Sequence, residues 1–242
     1  MLNNIKMKIQ KKYVLAIVPA RKGSLTLKNK HTKKIGKKKL IDLTFDAIKK
    51  SKKITKTILL SNDEKVIKIA KKKNFIEIYN RPKQISKSTS DSREYVKYVI
   101  EKFLSINYFI PEYILILQPT TPFRDYKDID RSISTILKKK IDSLISVTEP
   151  IQDPSECIYI NQKKRIVPVH IPKKQNNHPK GNQQSRVKTF FIDGSIYLFK
   201  SVFFLKKNSF FNKDTELMVI DKIKGIDIND AVDLKIANKI RL

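Results

Sequence analysis

Arg21, Lys22, Gly23 and Ser24 carry the clearest chemical possibility in the chain, directly after an apolar run over residues 14–18 and the pair Pro19-Ala20. That pattern reads as a buried strand entering a tight basic loop. A guanidinium, an ammonium, a hydroxyl and the amides freed by a turn at Gly23 would converge there. Such a loop suits a polyphosphate, because cations neutralise it and amides cradle its oxygens. The spacing is neither that of a P-loop nor the Gly-x-Gly-x-x-Gly of dinucleotide folds. A plain basic turn is the structural alternative. Further polar groups stand at the ends of apolar runs: Ser61-Asn62-Asp63, Arg81-Pro82, Gln118 before Pro119, and Asp227 with Asn229 ahead of a last helix. His31, His170 and His178 lack zinc-ligand spacing and read as loop or surface residues.

The elements that must position these groups alternate. Helical spacing covers residues 40–50 and the stretches around Val66, Tyr95 and Leu234, while residues 57–60, 75–79, 113–118, 144–147 and 190–199 read as strands. Alternation of this kind implies parallel strands with right-handed crossovers, whose functional groups sit at the carboxyl ends of the strands. Several acids have structural readings. Asn62 or Asp63 can cap a helix, Asp91 with Glu94 can form a capping box, Asp128 and Asp130 suit a helix N-terminus, and Asn229 can serve as an N-cap. From 151 to 188 the character changes to a hairpin-like stretch followed by a polar segment containing proline and glycine. Residues 1–12 read as a basic tail and 13–242 as one domain with an insertion over about 151–188.

Composition narrows the classes. A chain of 242 residues with 40% hydrophobic content can bury a real core. No apolar run approaches the roughly 20 residues needed to span a bilayer, so no membrane association is expected. The start of the chain lacks the apolar core of a signal peptide, and the single cysteine, Cys157, excludes an internal disulfide. Both fit the cytoplasm. The net charge of +29 would ordinarily suggest nucleic acid. Its lysines are scattered, apart from runs at 33–39 and 71–73, and no nucleic-acid-binding motif accompanies them. No specific nucleic-acid partner is expected, and drift toward A/T-rich codons accounts for the excess.

Ala20-Arg21-x-Gly23-Ser24 followed by Lys28-Asn29 resembles the opening signature of the CMP-sialic acid synthetases, the acylneuraminate cytidylyltransferases. Later blocks resemble the same family in order: Ser61-x-Asp63; Arg81-Pro82 through Ser92; Gln118-Pro119-Thr120-Thr121-Pro122-Phe123-Arg124; Asp193-Gly194-Ser195-Ile196-Tyr197; and Asp227-x-Asn229. The resemblance implies an α/β fold of Rossmann-like type, a mostly parallel sheet with helices on both faces as in nucleotide-diphospho-sugar transferases. It also implies an inserted β-rich arm that crosses to a partner in a homodimer. The departures are local. The family commonly has a further Lys-Gly between the serine and the Lys-Asn pair, so the loop reads as shortened here. A family Asp becomes Ser88, a lysine position falls on Glu156, a later arginine has only Arg186 as an approximate counterpart, and the metal-binding Asp-x-Asp becomes Asp227 and Asn229.

On that resemblance the chemistry is cytidylyl transfer from CTP to a nonulosonic acid, with Mg²⁺ as cofactor. Arg21, Ser24 and Lys28 would hold the triphosphate; Asn29, Arg81 and Ser92 would read the nucleotide. Gln118 and Tyr197 would face the sugar, and Asp227, with Asp193 as a helper, would hold the metal. Arg21, Lys28 and Asp227 would carry catalysis by positioning and charge neutralisation. Two related readings remain: a CMP-3-deoxy-manno-octulosonate synthetase, and a degenerate homologue with eroded substrate and metal contacts.

Overall fold

The computed structural model describes residues 8–160, 162, 164–169 and 188–240. The expected polar segment of the insertion, including Arg186, lies outside the described residues. Seven strands form the central sheet: β1 (Ile9–Ala20), β4 (Lys56–Ser61), β5 (Ile76–Asn80), β6 (Ile110–Ile116), β7 (Ser143–Thr148), β10 (Phe191–Lys200) and β11 (Glu216–Val219). Their order is β11-β7-β10-β6-β1-β4-β5. β1 pairs in parallel with β4 and β6, β4 with β5, and β7 with β11. Only β10 runs against its neighbours, pairing antiparallel with both β6 and β7. Two short hairpins lie outside the sheet, β2 (Lys34–Ile35) with β3 (Lys38–Lys39), and β8 (Ile158–Ile160) with β9 (Ile166–Pro168).

The apolar runs explain the layering. In β1, Val14, Ala16 and Val18 face one core and Leu15 and Ile17 the other, all essentially inaccessible. Period-two alternation sends neighbours to opposite faces, so a continuous apolar run is a strand covered on both sides. One face carries α1 (Leu40–Lys50), α2 (Glu64–Ala70) and α4 (Tyr126–Lys139), through residues such as Phe45, Val66 and Ile133. The other carries α3 (Ser92–Asn107) and α5 (Ser201–Lys207), through Val99, Phe103 and Phe204. Fully burying one such side chain stabilises the fold by roughly 1.5–3 kcal/mol. A third, smaller cluster joins Leu27, Ile35 and Leu40 to Ile228 and Ala237, the latter in α6 (Ala231–Ile240).

Three local expectations change. β1 begins at Ile9, inside the stretch read as a tail, because Ile9 pairs with Ile110 ahead of a register break. Lys12 takes φ 56° at that break. Asp91 caps α3 through the Arg93 amide at 2.7 Å and also bonds the Arg93 guanidinium. A capping box does form at α4, between Asp125 and Asp128. Asn229 is not the cap of α6: Asp230 Oδ1 accepts from the Val232 and Asp233 amides at 2.7 and 3.0 Å.

Candidate functional site

The basic loop leaves β1 at the carboxyl end of the sheet and is tied to the end of β4. The Ala20 carbonyl accepts from Ser61 Oγ at 2.6 Å, and Asn62 Oδ1 accepts from the Lys22 amide at 2.8 Å. Asp63 caps α2 through the Lys65 amide at 2.9 Å, so Ser61-Asn62-Asp63 serves as an anchor for both loop and helix. Within the loop, Arg21 Nη1 donates to the Gly23 carbonyl at 2.8 Å, and Gly23 takes φ 86°, a conformation that favours glycine. Thr26 Oγ1 donates to the Asn229 carbonyl at 2.5 Å, and the Ile228 amide donates to the Thr120 carbonyl at 2.8 Å. These two bonds draw the loop, the segment carrying Asp227 and the turn after β6 to one place. Asn29 then adopts the left-handed conformation, φ 55°, which Asn tolerates, and starts a 3-10 turn over Lys30–Thr32.

A cleft of about 180 Å³ opens where these segments meet. Arg21, Ser24, Lys30 and His31 line it from the loop, Arg81, Ser90, Ser92 and Tyr95 from the strand-to-helix connection, and Gln118 and Thr120 from the end of β6. Of the residues expected from sequence, the fold therefore brings together Arg21, Ser24, Arg81, Ser92 and Gln118. Lys28 and Asn29 are exposed and do not line it. Their places are taken by Lys30 and His31, two positions on, which is where the family's additional Lys-Gly would move a Lys-Asn pair. Lys30 is thus the lysine of this loop that lines the cleft.

Electrostatics mark the same residues. Burial pushes the Lys30 ammonium below its usual range; Asp227 opposes this and Arg21 adds to it. His31, expected on a loop or surface, is half-buried, and burial holds its imidazole down at about 4. Lys30 and Arg21 add to that effect while Asp63 and the Arg21 backbone oppose it. Its Nδ1 is inaccessible and has no hydrogen-bond partner. Arg81 is buried too, donating through Nε and Nη2 to the Ile85 carbonyl at 2.8 and 2.6 Å and lying 5.0 Å from the centre of the Tyr95 ring. Burial lowers its affinity for a proton and Tyr95 partly restores it. The guanidinium is pre-set in one plane, as recognition of a flat ligand requires.

The opposite side of the cleft is organised by β10. Its register slips between Ile192 and Tyr197, and Gly194 takes φ 77° inside the irregularity. A Cβ there would lie 3.3 Å from Gln118 Nε2, so this glycine admits the Gln118 side chain. The bulge turns Asp193 inward, where Oδ1 accepts from Ser146 Oγ and the Ser195 amide, both at 2.7 Å. Arg124 is buried and donates through Nη1 to Thr121 Oγ1 and the Ser195 carbonyl, both at 2.9 Å, fastening the turn after β6 to β10. Tyr197 is half-buried, edge-on to Phe210 at 5.8 Å. Burial raises its phenol, and the charges of Asp193 and Asp227 add to that. Tyr197 and Asp227 do not line the cleft.

Asp227 Oδ2 accepts from Asn229 Nδ2 at 3.0 Å, while Oδ1 is buried without a partner. Asp193 Oδ2 is likewise buried and partnerless, and burial raises that carboxyl. Among the described residues no cluster of three or more acidic, His or Cys groups forms a protein cage for a metal. A carboxylate with a free oxygen, as in Asp227, has the donor chemistry that Mg²⁺ takes, since that ion uses few protein ligands and completes its shell from waters and substrate phosphates.

A mostly parallel α/β sheet with a basic, glycine-turned loop at the carboxyl end of an interior strand is the architecture of a nucleotide-binding protein. Comparison with known proteins narrows the class. Residues 15–237 match the family model described as cytidylyltransferase, and the chain belongs to that family. A post-translational flagellin modification protein B of Campylobacter coli is 26% identical over 92% of each chain. The CMP-N,N'-diacetyllegionaminic acid synthase of Legionella pneumophila is 25% identical, covering 94% of this chain and 95% of its own. The N-acylneuraminate cytidylyltransferase of Escherichia coli is 26% identical over 94% of this chain but only 52% of its own length. Among solved structures, a CMP:2-keto-3-deoxy-manno-octonic acid synthetase complexed with CTP superposes with a TM-score of 0.67 at 10% identity, covering 95% of this chain and 98% of that one. That likeness establishes the expected fold class.

Proposed function

We propose that this chain transfers the cytidylyl group of CTP to a nonulosonic acid. The anomeric hydroxyl oxygen of the sugar bonds to the α-phosphorus, the bond from that phosphorus to the bridging oxygen breaks, and pyrophosphate leaves. The hydroxyl proton passes to solvent. Support comes from the family match and from relatives named for CMP-legionaminate and N-acylneuraminate synthesis. The observation that carries the reading is the convergence of Arg21, Ser24, Lys30, Arg81 and Ser92, from separate stretches, on one cleft.

In this reading Arg21, Ser24 and Lys30 hold the triphosphate, with the exposed Lys28 contributing only long-range attraction. Arg81, stacked on Tyr95, and Ser92 read the cytosine, and Gln118 and Tyr197 meet the sugar. Asp227 and Asp193 hold Mg²⁺, which when bound neutralises phosphate charge. The apolar exposure of Ile158, Tyr159 and Ile160 on the β8–β9 hairpin, and of Phe191 and Ile192 on β10, supports a homodimer. Among the described residues no helix is long and apolar enough to cross a membrane, and we place the reaction in the cytoplasm, where CTP is available.

Pyrophosphate release from each nucleoside triphosphate, with Mg²⁺ and a panel of nonulosonic acids plus the octulosonate, tests the reading. Release from CTP with one nonulosonic acid is expected. Turnover with the octulosonate alone would transfer the assignment to that sugar. A folded protein that binds CTP but turns over none of the panel would be a degenerate homologue. Absence of CTP binding would end the proposal.

A further inference from the structure

Lys224 takes no part in the roles assigned above, yet three segments that carry those roles meet on it. We propose that Lys224 is a positioning residue for the sugar side of the reaction. It ties the segment carrying Asp227 to the turn after β6 and to the bulge of β10, and so sets where Gln118 and Tyr197 stand; this rests on the cytidylyl-transfer reading. Its ammonium donates to Asp128 Oδ2 at 2.8 Å and to Asp125 Oδ2 at 3.0 Å. Its carbonyl accepts from Ser195 Oγ at 3.4 Å. Gly225, next in the chain, is packed so closely that a Cβ there would lie 2.8 Å from Thr148 Cγ2 and 3.3 Å from the Asp193 Cβ. The segment is thus held from both sides just ahead of Asp227.

Both carboxylates belong to the capping box of α4, which begins directly after Arg124. Asp125 Oδ1 accepts from the Lys127 and Asp128 amides, so the ammonium takes the other oxygen. Asp128 is buried, and its Oδ1 lies 3.6 Å from Arg131. Burial disfavours the Lys224 ammonium, but Asp128 and Asp125 outweigh it and hold the group above its usual range. Arg124 carries the link onward through Nη1, to the Gln118 carbonyl at 3.3 Å and the Ser195 carbonyl at 2.9 Å. Ser195 is therefore held twice, between Asp193 and Tyr197. The neighbouring Lys222 offers a contrast: it is exposed and meets the equally exposed Glu149 at 3.5 Å. A surface pair of that kind contributes little, whereas a charge-assisted tie to a buried carboxylate fixes geometry. The basic loop has its own anchors, Ala20 on Ser61 and Lys22 on Asn62.

The test compares the wild type with Lys224→Met, Lys224→Arg, the double variant Lys224→Met/Asp128→Asn, and Lys222→Met. The sugar is the nonulosonic acid that the wild type turns over, with N-acetylneuraminic acid tried first. Metal-free CTP binding is read by calorimetry, kcat and each KM by pyrophosphate release, and folding by melting temperature. Lys224→Met is expected to raise the sugar KM and lower kcat about tenfold each, with CTP affinity changed less than about twofold. Lys224→Arg, which keeps the charge and the reach, should recover most of the loss. In the double variant the buried carboxylate is no longer left unpaired, so stability should return while the sugar defect stays. Lys222→Met should behave as the wild type. Recovery of kcat and sugar KM in the double variant overturns the inference, because the defect then comes from an uncompensated charge. A Lys224→Met protein that only melts earlier, or that loses CTP and sugar alike, overturns it as well. Should Lys224→Met fail to fold, the double variant decides alone. A wild type that turns over no nonulosonic acid overturns the functional reading and this inference with it.

Discussion

The two walls of the cleft are built on different principles. On the wall formed by the ends of β1 and β4, polar groups are largely spent on the protein itself: Ser61 on Ala20, Asn62 on Lys22, Arg21 on Gly23, Arg81 on Ile85. The Nδ1 of His31 stands out there as a buried atom without a partner. On the side formed by β10, the end of β7 and the segment before α6, set back from the cleft lining, Asp193, Thr148 and Asp227 each keep a buried oxygen unpartnered. The first wall is pre-organised, with its cations held in place before a ligand arrives. The second holds unsatisfied acceptors, the arrangement expected where a cation and a polyhydroxy substrate complete the hydrogen bonding.

The largest expected effect separates the walls by function. Asp227→Ala should lower pyrophosphate release on the order of 10³-fold while leaving metal-free CTP binding nearly unchanged. A parallel loss of CTP binding would mean that the second wall also holds the nucleotide. Next comes the loop itself. Lys30→Ala should reduce kcat/KM for CTP about 100-fold, whereas Lys28→Ala should change it less than about twofold, since an exposed charge contributes little. Reversal of these two values would restore Lys28 as the phosphate-binding lysine.

The walls should also respond oppositely to pH in metal-free urea denaturation. The His31 imidazole is lowered from 6.5 to about 4, so the unfolded chain binds the extra proton and stability is lost as pH falls through that window. The loss should be on the order of 3 kcal/mol at most and should be absent in His31→Asn. Asp193 is shifted the other way by burial, so its neutral form is favoured in the fold and stability declines as pH rises above the ordinary aspartate value. Asp193→Asn should therefore gain on the wild type as pH rises. The smallest effect belongs to the contact between the walls: Gly194→Ala forces a Cβ into φ 77° and to 3.3 Å from Gln118 Nε2. It should cost about 1 kcal/mol in stability and raise KM for the sugar more than for CTP.

The sequence by itself determined the layered α/β fold. Apolar runs at residues 14–18 and 113–117 are too continuous for one-sided strands, and helical spacing after each of them leaves a parallel sheet covered on both faces. It also determined which strand ends carry the chemistry, because Arg21, Arg81, Gln118 and Asp227 follow directly from apolar segments. Only the tertiary structure shows that Lys30, and not Lys28, lines the cleft. The two differ in burial, and burial depends on Leu27 packing against Ile228 about two hundred positions away. The same holds for His31, whose neutral state comes from Lys30, Arg21 and desolvation together. It holds as well for Asp193, turned inward by a slip in register that no local pattern encodes. Periodicity records which face of an element is buried; a charge's surroundings are assembled by segments distant in sequence, and only the folded chain brings them together.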